Sequence, residues 1–458
     1  MKLKLCFSTL CAAAVILLAS PAAYADSYDL SLGSISIDST ASGQTVVQNG
    51  KTAVDPAPVI TQTSAEATQN TISVHASSGS KAVLTLDGVN IDTSDASDNG
   101  APVSVSGSGS VKLCFRSENT LTAGRVPGIE KSAGGWLDIA GEDNAVLNTT
   151  GAPGIGSGFK ASGDHVRISS GTINAAGLSS AAGIGSCDGG SSFRYIEING
   201  GNVTAVGGEY SAGIGGGGGC DGSFITINGG TVYAEGSAGA GIGGGFCGDN
   251  TGSGYNITIN GGEVKAVGRF GGAGIGSGAS FYGGTNHGGY NIRITGGTVT
   301  AIAEAGTSKD GTPIYNGAAG IGGGGEYCFG RSISITGGEV TAAGNGGGAA
   351  IGGSRLGEGY TVKISKDAVV HAAMSVTSDG KYTGPCFGSG AASDADGKEI
   401  PPRLLCAPER RPCGVLRSGR KTPPQLFPRH SLRSSQIEIR TKERSAAADR
   451  PFLYSPAL

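Results

Sequence analysis

The sequence predicts an all-β chain, a single-stranded parallel β-helix (solenoid) with three short strands in each coil. Three observations carry this expectation. A ten-residue phrase recurs seven times, at 166–175, 196–205, 225–234, 257–266, 292–301, 333–342 and, in degenerate form, 362–372. Its starts are 30, 29, 32, 35, 41 and 29 residues apart. A Gly-Ile-Gly signature alternates with it, its isoleucine at 155, 184, 214, 242, 275, 321 and, as Ala-Ile-Gly, 351. Glycine makes up 66 of the 210 residues from 151 to 360, without the every-third-residue period of collagen. Fixed-period self-similarity on this scale marks stacked repeats.

Each part of the repeat has a physical role. In Ile225-Thr-Ile-Asn-Gly-Gly-Thr-Val-Tyr-Ala234 the Ile-x-Ile and Val-x-Ala halves alternate with period two, so each reads as a short strand with one buried face. The Gly-Gly between them permits the positive φ of a sharp corner. Gly-Ile-Gly supplies a third inward side chain between residues too small to crowd the next coil. Such strands cannot form a sheet within one repeat, but stacked at about 4.8 Å they form three parallel sheets around one apolar column. The corner residue is Ser169, Asn199, Asn228, Asn260, Thr295, Thr336 or Ser365. Small polar side chains suit a turn, and stacked amides can also bond along the axis; a polar ladder is the expectation.

The rest of the chain divides by composition. Lys2 and Lys4 precede an apolar run, and Ala23-Tyr24-Ala25 has the small-x-small pattern of a cleavage site, so 1–25 reads as a signal peptide. That run is too short to span a bilayer, and no later stretch comes close, so a secreted or cell-surface protein without a membrane span is expected. Residues 26–150 read as irregular N-terminal coils and cap, 151–375 as the regular repeats, and 376–400 as the end of the solenoid. Residues 401–458 carry ten arginines, nine of the 17 prolines and two glycines. They read either as a basic disordered tail or as out-of-frame sequence. Residues 26–400 hold 19 Lys and Arg against 32 Asp and Glu, which argues against nucleic acid as a partner.

Several residues could carry chemistry. Cys187, Cys220, Cys247 and Cys328 follow Gly-Ile-Gly at similar offsets, so disulfides between neighbouring loops are expected, with buried thiols the alternative. Asp188, Asp221 and Asp249 follow those cysteines, and Asp92, Asp95 and Asp98 form a second group. Stacked carboxylates could bind calcium, an oxygen-seeking cation, although solvated loop tips explain the same pattern. Tyr255, Tyr290 and Tyr360 stand two residues before an inward Ile or Val and are expected to point into the core. Tyr195 and Phe224 stand one residue before and should face out. With Tyr233 they form a candidate sugar-stacking platform; Trp136, the one tryptophan, fits either core or platform. The outward strand positions hold no acidic pair, so catalysis by paired carboxylates is not expected.

The order of phrases from 83 to about 370 resembles a family of exported bacterial carbohydrate-binding β-helix domains, some of which bind pectic polysaccharide. The matching residues are Leu84-Thr-Leu-Asp-Gly-Val-Asn-Ile91, Glu118-Asn-Thr-Leu-Thr122, Pro127-Gly-Ile-Glu-Lys131 and Leu137-Asp-Ile-Ala-Gly141, followed by the repeats. The Gly-Ile coils also resemble parts of surface adhesins. The resemblance implies a secreted, non-catalytic, polysaccharide-binding protein, with calcium for some members. The alternative is a structural or adhesive surface solenoid with a host or neighbouring-cell surface protein as partner. A polysaccharide lyase or hydrolase is the third reading.

Overall fold

The computed structural model describes residues 26–390 except 96–99, 133, 190–192, 247–251, 281–286, 308–312, 315–316, 374 and 377–382; beyond 390 it describes 392–393, 399–400, 413–416 and 437–439. The chain is a parallel β-solenoid of about 11 turns with three sheets. Among the described residues the first sheet has 13 strands, the second 11 and the third 14. Ile-x-Ile segments such as Gly222–Ile227 build the first sheet, Val-x-Ala segments such as Thr231–Ser237 the second, and Gly-Ile-Gly segments such as Ile242–Gly243 the third.

Register sets like on like. In the third sheet Ile184, Ile214, Ile242, Ile275, Ile321 and Ile351 follow one another rung by rung. In the first sheet Ile196, Ile225, Ile257, Ile292 and Ile333 do the same. All are at most 1 % exposed and belong to one core cluster. Full burial of such a side chain is worth about 1.5–3 kcal/mol, so each rung adds its own share to one continuous column.

Two glycine positions show why the phrase is spelled as it is. Gly230, the second of the corner pair, has φ 88°, and a Cβ there would come 2.6 Å from the Gly201 carbonyl oxygen. Gly185, the second of a Gly-Ile-Gly, has φ 146°, and a Cβ would lie 1.9 Å from the Gly215 oxygen. The expected polar ladder is present beside that corner. Asn228 donates to Asn199 Oδ1 at 2.7 Å, Asn260 to Asn228 at 2.8 Å, and Thr295 to Asn260 at 2.8 Å.

The ends differ from the body. Ile35–Thr40, Gly43–Gln48 and Lys51–Val54 form an antiparallel meander at the start of the third sheet, which closes the column. Gln44 is buried there, and its amide donates to Asp55 and Val83 carbonyls and accepts from the Val83 N–H. At the other end Ile437–Ile439 and Cys413–Leu416 pair antiparallel with Gly359–Ile364 and Val369–Ala373. The remainder of 401–458 lies outside the described residues.

Two expectations need correction. Tyr255, Tyr290 and Tyr360 do not enter the core; they are half-buried and lie outside the core cluster. The residue after each of them, Asn256, Asn291 and Thr361, is left-handed, with φ of 54°, 52° and 59°. One such residue interrupts the extended backbone, so the two-residue alternation that predicts an inward tyrosine does not carry across it. Cys187, Cys220 and Cys328 are buried thiols, not disulfides. Stacking turns Cys220 Sγ towards the Cys187 carbonyl oxygen, 3.3 Å away, and burial pushes the Cys187 thiol pKa up. Cys247 lies outside the described residues; Cys386, in the last described rung, is disulfide-bonded.

Candidate ligand-binding groove

The left-handed residue recurs in every regular rung of the first sheet. It is His165, Tyr195, Phe224, Asn256, Asn291, Ser332 and Thr361, with φ between 52° and 62°. Because each rung carries the irregularity at the same place, register is kept: Asp164 pairs with Arg194 and Val166 with Ile196. The side chains at this kink, or one residue before it, form a ladder of rings from His165 to Tyr290, which Trp136 and Phe329 extend at its two ends. His165 stacks on Tyr195 at 4.6 Å and 12°, and Tyr195 leans on Phe224 at 5.0 Å and 32°. Phe224 meets Tyr255 edge-on at 6.3 Å and 71°, and Tyr255 stacks on Tyr290 at 4.8 Å and 5°. Phe329 follows Tyr290 at 5.9 Å, and Trp136 meets His165 edge-on at 4.8 Å.

Guanidinium groups bracket this ladder. Arg167 lies over Trp136 with its central carbon 4.1 Å from the ring centre, and Arg331 lies over Phe329 at 4.0 Å and Tyr290 at 5.3 Å. Arg331 also donates to the Tyr360 hydroxyl at 3.1 Å. Beside the rings runs the outward column of the first sheet, Asp138, Arg167, Glu197, Thr226, Thr258 and Arg293 in register. Arg167 donates to Asp138 at 3.0 Å and to Glu197 at 2.9 Å. Burial disfavours its charge, yet the two carboxylates outweigh that and hold its pKa above the ordinary value.

A cleft of about 580 Å³ opens between these columns. Trp136, Tyr195 and Phe224 contribute rings to it, and Thr226, Thr258, Asn256 and Asn291 contribute hydroxyl and amide groups. Glu197 and Arg293 bring one charge of each sign. The asparagines are themselves laddered, Asn291 donating to Asn256. Most ring faces in the ladder are spent on neighbouring rings. At Phe224–Tyr255 the angle between planes opens from the 32° of Tyr195–Phe224 to 71°, and Phe224, at that turn, lines the cleft.

Three of the four expected platform residues, Tyr195, Phe224 and Trp136, thus share one site. Tyr233 does not join them, because Val-x-Ala places it on the second sheet. There its hydroxyl donates to Glu235, Lys265 lies 5.5 Å from its ring centre, and Arg269 links Glu235 to Glu304 at 3.1 and 3.6 Å. Burial, then the bond to Glu235, pushes the Tyr233 phenol up to about 12.

Among the described residues, two of the expected calcium ligands, Asp221 and Asp92, accept hydrogen bonds from the chain itself. Asp221 Oδ1 accepts from the Gly252 and Ser253 N–H groups of the next loop at 3.0 and 2.9 Å. Asp92 Oδ1 accepts from Ser94 N–H and Oγ at 2.9 and 2.6 Å, closing a local turn. Asp188 and Asp95 are exposed, while Asp98 and Asp249 lie outside the described residues. Among the described residues no three His, Cys, Asp or Glu side chains form a metal-holding group. No described helix is long and apolar enough to cross a membrane.

Sequence reasoning missed Asn256, Asn291 and Arg293 as groove residues. Arg293 is an ordinary outward strand position, but only the kink turns Asn256 and Asn291 beside the rings, and residue type does not betray the kink, since His, Tyr, Phe, Asn, Ser and Thr all adopt it.

Residues 166–190, 196–218, 225–246, 257–279 and 333–355 match the family model described as Beta helix repeat. Each match begins at the first inward residue of a phrase and runs past the next Gly-Ile-Gly. No curated protein and no solved structure matches the chain. The five matched repeats, about a quarter of the chain, lie in the regular rungs of the parallel β-helix that the three sheets show.

Proposed function

We propose that this is an exported, non-catalytic polysaccharide-binding protein whose ligand lies on the outer face of the first sheet. The observation that carries this reading is the cleft of about 580 Å³ combining Trp136, Tyr195 and Phe224 with Thr226, Thr258, Asn256 and Asn291. A sugar ring presents an apolar face and a rim of hydroxyls, so it needs an aromatic surface beside donors and acceptors. The break in the ring stack at Phe224–Tyr255 is where such a surface is available. The reading favours binding over cleavage because Asp138 and Glu197 are both committed to Arg167, whereas an acid–base pair must be able to exchange protons. The family resemblance and the signal-like first 25 residues point the same way.

A glycan array probed with the purified protein tests this. We expect retention on one or more plant- or host-derived polysaccharides, weakened at least about tenfold (1.4 kcal/mol) by Tyr195→Gly or Phe224→Gly. Glycine accepts the left-handed backbone at both positions, so these variants remove the ring without straining the rung. Retention on no polysaccharide, or glycine variants that bind like the parent, would overturn the assignment.

A further inference from the structure

The ring ladder contains one imidazole, the only ring in it that can carry a positive charge. His165 occupies the left-handed position, with φ 62°, that Tyr195 and Phe224 occupy in the next two rungs. Its imidazole stacks on Tyr195 at 4.6 Å and touches Trp136 edge-on at 4.8 Å, and both of those rings line the cleft. His165 Nδ1 is 2.9 Å from Asp164 Oδ1, but it is buried and makes no aligned hydrogen bond. The side chain therefore has a counter-charge in place and a ring nitrogen left without a directed partner.

We infer that His165 is a positioning residue whose protonation sets how Trp136 and Tyr195 are presented at the N-terminal end of the groove. The neutral ring packs as an apolar plate. The imidazolium instead attracts the π-systems of both neighbours and the Asp164 carboxylate. It also adds a second cation to an indole that already carries Arg167 over its face. Other charges surround the site. Asp164 is itself under the influence of Lys131 from the third sheet, and Arg194 stands opposite Asp164 in the next rung. Arg167 is held by Asp138 and Glu197, which fix it while His165 gains or loses its proton. The consequence for a bound glycan rests on the groove reading above. The titration of the rings does not.

Trp136 is the only tryptophan in the chain, so emission excited at the red edge of the indole band, where tyrosine does not absorb, reports this site alone. We expect emission from the intact protein to change sigmoidally as acidification from about pH 8 to about pH 5 puts a proton on the imidazole. The acrylamide quenching constant of Trp136 should change over the same interval. His165→Phe should abolish both transitions, and a phenyl ring is compatible with this backbone because Phe224 has it at φ 56°. Asp164→Asn should lower the midpoint, since the carboxylate favours the imidazolium. Flat emission in the parent, a transition that survives His165→Phe, or a midpoint unmoved by Asp164→Asn would overturn the inference. Neither readout needs a ligand, so a protein that titrates as described but retains no polysaccharide would sink the proposed function and leave this one standing.

Discussion

The Arg167 guanidinium lies 4.1 Å from the centre of the Trp136 ring while donating to a carboxylate on each side, Asp138 in the preceding rung and Glu197 in the following one. One side chain thus ties three coils at the mouth of the groove. Arg167→Met keeps the stem but removes the charge, leaving two carboxylates facing each other across one rung. All three groups are only partly buried, so solvent screening limits the cost to about 1–2 kcal/mol. A denaturant titration followed by Trp136 emission checks this, with most of the loss recovered when Asp138 and Glu197 are both made neutral.

How far the sequence shows this arrangement depends on which direction along the solenoid is asked about. Along the axis nearly everything is readable, because Ile225 predicts Ile257 and Asn228 predicts Asn260 whatever the detailed backbone. Across a strand, the two-residue rule holds only while the chain stays extended. It places Tyr195 and Phe224 outside but puts Tyr255 and Tyr290 inside, because Asn256 and Asn291 are kinked. A warning was present in the same column: the positions equivalent to Tyr255 include Asp164, Arg194 and Arg331, residues that an apolar core would not accept unpaired. Contacts that run diagonally between neighbouring rungs, such as Arg269 to Glu235, depend on side-chain reach and leave no periodic trace.

Gly185→Ala tests how closely the rungs approach at the third sheet. The added methyl would lie 1.9 Å from the Gly215 oxygen, a backbone atom held by the next coil, at φ 146°. A shift of one rung would have to propagate along the column, so the expected loss is about 3 kcal/mol or more. Gly88→Ala is the control, with φ 72° and nothing within 4 Å of the added methyl. It should cost only about 1 kcal/mol from the left-handed backbone. Parallel thermal melts distinguish the two, and equal losses would mean that the contact at Gly185 relaxes freely.

Lys131 is 1 % exposed at the end of a third-sheet strand, where its ammonium donates to the Ser132 carbonyl. Burial lowers its pKa and Asp164 only partly opposes this. The unfolded chain keeps the proton up to about pH 10.4, while the native protein gives it up earlier. Between those points the unfolded state binds more protons, so the native state gains stability as pH rises through that window. Lys131→Met should remove this alkaline rise. At neutral pH it should stabilise the protein by about 1–3 kcal/mol, because an apolar chain of similar length replaces a buried charge. Urea midpoints at neutral and alkaline pH measure both effects, and a destabilised methionine variant would show that the ammonium is an integral partner of Asp164.

Tyr233 offers the converse test, a residue chosen for a sugar platform that the fold places elsewhere. Its phenol, held at about 12 by burial and by Glu235, stays neutral in the native protein where an unfolded tyrosine already ionises near pH 10. The stabilisation from that difference is therefore complete below about pH 10 and disappears as pH climbs towards the native value. Tyr233→Phe has no proton to lose, so its stability should fall less steeply over this alkaline interval than the parent's. Because Tyr233 stands on the second sheet and the cleft on the first, the same variant should retain polysaccharide as the parent does. Weakened retention would place the ligand across the corner between the two sheets, where the Asn199–Asn228–Asn260 ladder runs.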